Sequence, residues 1–149
     1  MAVTAKLYAS FPENALGGNT AGEGPMDILS DTIKAMLTTS SNGISQTADT
    51  LKGDITNELA ASGNYSTGGA TLGTKTYAVS SLVTTFDAAD TTWSTATFTA
   101  AQAHIYDDTP TSPADPLISY LDFGGDQSVS GADFTIAWNA SGIFTLTVA

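Results

Sequence analysis

The sequence predicts an all-β, mainly antiparallel single domain of β-sandwich or jelly-roll type, with one short helix and an irregular N-terminal arm. Three observations carry this. From Thr67 onward, short runs of alternating apolar and hydroxyl residues are separated by Gly, Pro and Ser clusters, and a side-chain period of two belongs to strands. Serine and threonine make up about a quarter of the chain, and threonine is β-branched and suits a pleated, half-wet surface. The closing stretch FTIAWNASGIFTLTVA, Phe134 to Ala149, alternates most strictly of all. An isolated hairpin is not stable, so such strands must close on a second sheet or on a neighbouring subunit.

The 149 residues suit one domain, long enough to bury a core without staples. Residues 1–25 read as an N-terminal strand and flexible arm, and residues 26–149 as the β-sandwich. In the first part, VTAKLY (Val3 to Tyr8) is a strand. SFPENALGGNTAGEGP (Ser10 to Pro25) is punctuated by Gly, Pro and Asn and reads as a long loop or arm.

MDILSDTIKAMLTTS admits a short helix capped by Ser30. Ile33, Ala35 and Leu37 alternating with Thr32, Lys34 and Met36, and the β-branched Thr-Thr ending, favour a strand. In DTLKGDITNELAASG, Leu51, Ile55 and Leu59 stand four apart. That spacing predicts a short helix or helical turns, weakened by Gly53 at a cost of about 1 kcal/mol.

GGATLGTKTYAV and SLVTTFD are two strands joined by a Ser-Ser turn. AQAHIYDD alternates Ala101, Ala103 and Ile105 against Gln102, His104 and Tyr106. TPTSPADP is a loop, because proline lacks the ladder donor. LISYLDF, apolar on both faces, is a central strand, and GGDQSVSGAD is a turn region. In the closing stretch, NASG (Asn139 to Gly142) is a hairpin connection, with Gly142 free to take positive φ. Phe134, Ile136 and Trp138 then share one face with Phe144, Leu146 and Val148 on the return strand, which would put six large side chains into one core.

Composition narrows the function classes. Four lysines, no arginine and fifteen acids give a net charge of −11. Such a surface repels a phosphate backbone, and bidentate guanine readout needs arginine, so nucleic acid is not an expected partner. No apolar run approaches the roughly 18 residues of a membrane span, and the first residues do not resemble a signal peptide. Synthesis in a cytoplasm is expected, with no membrane partner. The lack of cysteine removes disulfides and thiolate sites; it fits a reducing compartment and equally an extracellular particle that needs no staples.

Reactive candidates are few. His104 is the only histidine and is placed on the polar face of its strand. A triad would need an activated serine beside it, and no G-x-S-x-G is present. Three acid pairs, Asp87 with Asp90, Asp107 with Asp108 and Asp122 with Asp126, raise glycoside hydrolysis or calcium, but sequence spacing fixes neither. Trp138 reads as core, and Trp93 as core or interface. Trp93 or Tyr65 would have to be exposed to serve a sugar-binding surface. Asn64 and Asn139 head N-x-S sequons. No catalytic, cofactor or metal residue is assigned, and no enzyme activity is expected.

The stretches DITNELAASGNYSTGGATLGTKT, TFDAADTTWSTATFTAAQAHIYDDT and PLISYLDFGGDQSVSGADFTIAWNASGIFTLTVA resemble a group of small virion structural proteins of tailed bacteriophages. The resemblance runs from about Asp31 to the end. Its most specific parts are N-E-x…G-x-Y-x-x-G-G (Asn57 to Gly69) and the closing sixteen residues. It implies a virion structural protein, foremost a head decoration or cement protein on the outer capsid surface that reinforces subunit junctions. A tail or fibre component with a carbohydrate-binding sandwich is the alternative. The implied partners are the major capsid protein or another virion protein and further copies of this chain, with a trimer matching a capsid three-fold axis. No site residue is carried over.

Overall fold

The computed structural model of the chain describes residues 3–17 and 26–148. In order along the chain stand β1 (Thr4–Leu7), α1 (Phe11–Ala15), β2 (Ile33–Thr38), β3 (Ala70–Thr71), β4 (Thr76–Ser80), β5 (Val83–Asp87), β6 (Thr91–Asp107), β7 (Leu117–Ile136) and β8 (Phe144–Thr147). They form a five-stranded sheet, β1-β7-β6-β2-β3, and a three-stranded sheet, β4-β5-β8. Every strand pair is antiparallel. The all-β expectation holds, as do β1, the strand choice at Ile33–Thr38 and the β4–β5 hairpin with Ser81 at positive φ in its turn.

β6 and β7 are the long elements. They pair from Thr91↔Ile136 to Tyr106↔Leu117, with irregularities between Trp93 and Ala96, at Ala96/Thr97, and between Ala100 and Gln102. GGDQSVSGAD therefore does not end a strand: Ser128, Val129 and Ser130 pair with Thr99, Phe98 and Thr97. The stretch bends the strand instead. Gly124 and Gly125 take φ of 74° and 147°, conformations that cost glycine little. Phe123 and Phe134 would stand roughly 36 Å apart in a straight strand, yet their ring centroids lie 6.1 Å apart. The ribbon curls back on itself.

One face of the five-stranded sheet carries Ile33, Ala35, Leu37, Ala103, Ile105 and Ile118, packed into one core with Phe11, Phe86 and Phe144. Its other face carries Met36, Tyr106, Leu117 and Tyr120, closed over by Tyr8, Ile44 and Ile55. Both faces being buried explains why AQAHIYDD is buried throughout Ala101–Asp107 despite its polar alternation.

Two further expectations are corrected, and a third is met in its weaker form. The arm is ordered over Phe11–Ala15, where Phe11 is buried and meets Phe144 edge-on at 5.0 Å; a large apolar anchor followed by Pro12 at a helix start favours a turn of helix there. The remainder of the arm, residues 18–25, lies outside the described residues. Of the two forms expected for the stripe Leu51, Ile55, Leu59, a short helix or helical turns, the second is found, as a 3₁₀ turn at Lys52–Asp54. There the Asp54 carboxylate accepts from the Thr50 and Leu51 amides at 2.9 Å each, and Leu59 N–H donates to Leu37 C=O at 3.0 Å, so side chain and sheet edge take the groups a helix would pair.

The closing hairpin is also not formed. Residues 137–143 cross from the end of β7 to the second sheet, where β8 pairs with β5, Phe144 opposite Phe86. Asp90 Oδ1 accepts from Trp138 N–H at 3.0 Å and Gly142 N–H donates to Asn139 C=O at 2.7 Å, which turns the chain away from β7. Four of the six large residues, Phe134, Ile136, Trp138 and Phe144, still reach the main core, but Leu146 and Val148 do not join them there. Ile136 and Phe144 are buried, Phe134 and Trp138 half-buried, and Leu146 and Val148 are 42% and 66% exposed.

Phe86 sits where the two sheets meet and is fully buried. Phe86→Ala is expected to cost about 3–5 kcal/mol in denaturant unfolding, whereas Val79→Ala, on the exposed end of the same sheet, should stay within about 0.5 kcal/mol.

Candidate functional site

His104 faces no solvent. Tyr8 Oη lies 2.7 Å from its Nδ1 and Thr38 Oγ1 3.2 Å from its Nε2. Thr38 Oγ1–H donates to Gln102 Oε1 at 2.9 Å, and Asn42 Nδ2–H donates to the same oxygen at 2.8 Å. Gln102 Nε2–H returns to Asn42 C=O at 3.1 Å, and Asn42 Oδ1 accepts from the Thr56 amide at 3.1 Å. The Asn42 amide nitrogen also lies 3.4 Å from Nε2, so both ring nitrogens have polar partners. Burial pushes the imidazole down to about 4 and the Tyr8 phenol up, so both are neutral. The ring ties the 39–56 segment to the sheet through hydrogen bonds and has no route to a substrate.

The acid pairs do not converge on one another. Asp87 and Asp122 accept from nearby backbone amides, Ala88 at 2.9 Å and Gly124 at 2.9 Å. Asp90 holds Trp138 as described, Asp108 pairs with Lys34 Nζ at 2.6 Å, and Asp126 is exposed. Asp107 is fully buried. Its Oδ1 accepts from the Thr109 amide at 3.0 Å, and its Oδ2 has no donor. Desolvation first, then the Asp31 carboxylate beside it, holds its pKa well above the carboxylate range. Among the described residues no group of three or more acidic or histidine side chains could hold a metal ion.

Trp93 is buried against Tyr65, Phe98 and Phe134, with ring centroids 6.0–6.4 Å away. Tyr65 is buried too, so neither presents the exposed face that a sugar platform needs. The Asn64 amide donates to Ser94 C=O at 2.8 Å and Asn139 Oδ1 accepts from the Ser141 amide at 2.8 Å.

The motif from Asn57 to Gly69 forms a lock rather than a site. Glu58 Oε1 accepts from Tyr65 Oη–H at 2.8 Å and from the Gly68 amide, and Tyr65 Oη accepts from Leu37 N–H at 3.0 Å. Gly69, at φ 77°, lies so close to β2 that a Cβ would fall 1.9 Å from Ala35 O, so only glycine fits.

The three-stranded sheet has the properties that a contact surface needs. Val148 N–H donates to Leu82 C=O at 2.8 Å, which sets the alternation of the β5–β8 ladder. Thr145 and Thr147 then point their N–H and C=O groups away from β5, and Tyr77 and Val79 do so on the β4 side. Among the described residues both strands are edges, and neither contains the lysine, proline or bulge that usually guards one. Tyr77, Val79, Leu146 and the buried Phe86 and Phe144 lie on one face by register. The far end of that face, with Val79, Leu82, Leu146 and Val148, overhangs the core and is 42–70% exposed. No charged residue occurs in Thr76–Phe86 or in Phe134–Ala149, in a chain of net charge −11.

Beside β8 lies an apolar cavity of about 440 Å³ lined by Val3, Ala5, Leu7, Leu121, Trp138 and Phe144, with Lys6 among the remaining lining residues. A groove of about 500 Å³ on the other side is lined by Leu16, Met26, Leu29, Tyr77 and Leu146. No protein-family profile, no characterised protein and no solved structure matches this chain. The open sheet escaped the sequence reading because strict alternation in the closing stretch pointed to burial; the signal available was the absence of charge across both segments.

Two pH effects follow. His104 has a folded pKa below its unfolded value, so its contribution is complete above about pH 6.5 and is lost as pH falls towards about 4. The loss amounts to roughly 3 kcal/mol, and His104→Gln, which retains a donor and an acceptor, should flatten this acid limb in thermal melts across pH. Asp107 acts in the opposite sense. Its raised pKa makes it increasingly destabilising as pH rises out of the carboxylate range, so Asp107→Asn is expected to raise Tm at pH 8 and to change it little at pH 4.

Proposed function

We propose that this chain is a bacteriophage virion structural protein, a decoration or cement protein that seats on the outer capsid surface and reinforces subunit junctions. The observation that carries the reading is the three-stranded sheet, free of charged residues over Thr76–Phe86 and along β8, with two open edges among the described residues and an apolar overhang. Strand addition at such an edge supplies main-chain hydrogen bonds and alternate side-chain contacts without needing a cleft. A protein whose task is to add buried surface between neighbours needs this and little else. The remaining acids keep the free chain soluble and discourage contact with a packaged genome.

The motif lock at Asn57–Gly69 and the sealed His104 network support the same reading. Residues that the resemblance singles out serve rigidity, and a rigid body transmits load between the surfaces it joins. Asn57 to Gly69 and the closing sixteen residues thus divide the work, one fixing the body and the other ending in an exposed strand.

Mass spectrometry of purified particles tests the reading. The chain is expected in stoichiometric amounts on intact heads, and particles lacking it should release their genome at lower temperature, with the difference restored by adding the purified protein. Recovery only from the unassembled fraction of a lysate overturns the proposal, and recovery on isolated tails in place of heads transfers it to the tail.

A further inference from the structure

Among the described residues β8 is an open edge, with an apolar cavity beside it. We infer that two copies of this chain join through antiparallel pairing of β8 with the partner's β8, merging the two small sheets into one six-stranded sheet about a two-fold axis.

Strand direction decides the symmetry. β4 and β8 are both antiparallel to β5 and so run parallel to each other. A head-to-tail ring, including a three-fold one, would have to join β8 to a neighbour's β4 by parallel pairing, against the antiparallel habit of the whole molecule. A two-fold contact keeps the pairing antiparallel and is isologous.

The outward-pointing groups fix the register. Thr145 and Thr147 carry the free N–H and C=O groups, so all of them pair when Thr145 of one copy stands opposite Thr147 of the other. Leu146 then meets its own counterpart at the axis, in a non-hydrogen-bonded position where Cα atoms approach to about 4.5 Å. Val148 falls opposite Phe144 of the other copy, next to the cavity lined by Val3, Leu7, Leu121 and Trp138. Each copy thus supplies an apolar overhang to the hollow of the other.

Charge selects the occupant. Two bodies of net charge −11 can meet here because the paired segment, Phe134–Ala149, has no charged residue and the cavity lining adds no acid, its one charged residue being Lys6. An arginine- or lysine-rich partner would find no acid on this strand to pair with, while a second copy brings the same Thr and Leu alternation to the pairing edge.

The experiment uses the isolated full chain, so it can fail or succeed without the virion reading, and the pair leaves the β4 edge open for a capsid contact. Sedimentation and light scattering should give twice the 15.2 kDa of one chain. Leu146→Lys places like charges at the axis and should weaken the pair by roughly a hundredfold or more, with circular dichroism confirming an unchanged fold. The chain has no cysteine, so Leu146→Cys gives an unambiguous second measurement: it should form an intermolecular disulfide with itself on mild oxidation, while Val79→Cys on the equally open β4 edge should not. A monomer at all concentrations, a trimer, or cross-linking through Val79→Cys in place of Leu146→Cys overturns the inference.

Discussion

The pairing of β6 with β7 sets the terms for the rest of the molecule. Seventeen residues of one strand and twenty of the other are joined in a ribbon too long to remain straight within a domain of this size. It has to bend, and the irregularities in β6 and the two glycines in β7 show where it does. Once bent, its lower half becomes the middle of a sheet with both faces needing cover. The small sheet and α1 supply one cover, and the irregular segment from Thr39 to Ser62 supplies the other.

That second cover has little regular structure of its own, so side chains must hold it in place. The His104–Gln102–Asn42 network and the Glu58–Tyr65 pair do this from opposite ends of the segment. Both use buried polar groups with specific partners, which fix one arrangement where apolar contacts alone would allow several. On the opposite face, Asp107 is a buried carboxylate with one oxygen lacking a donor and a second acid beside it.

Much of the strand content was legible because alternation is a local property. Thr4–Leu7, Ile33–Thr38, Thr76–Ser80 and Val83–Asp87 all follow from residue order alone. Partnership was not legible. The stretch from Phe134 to Val148 has the pattern of a hairpin, but the choice between pairing with β7 and crossing to β5 rests on Asp90, some fifty residues earlier in the chain, taking the Trp138 amide. His104 shows the same limit: its alternating polar neighbours mark a face, and only the fold reveals that the face is covered. The helical stripe at Leu51, Ile55 and Leu59 was held to a single 3₁₀ turn by one carboxylate and one sheet carbonyl. The candidate contact surface was hidden because Leu146 and Val148 look like core residues when no partner strand is specified.

The pairing of β1 has a consequence for how the chain is made. Thr4–Leu7 finds its partners at Ser119–Asp122, so a ribosome adding residues at its usual pace leaves the first strand without its mate for on the order of ten seconds. Throughout that interval the nascent chain exposes a short β-prone segment whose protection is a single lysine, Lys6. Contacts this distant in sequence also slow the final closure. A strand made early and paired late is, for that interval, open to capture by a strand on another nascent chain.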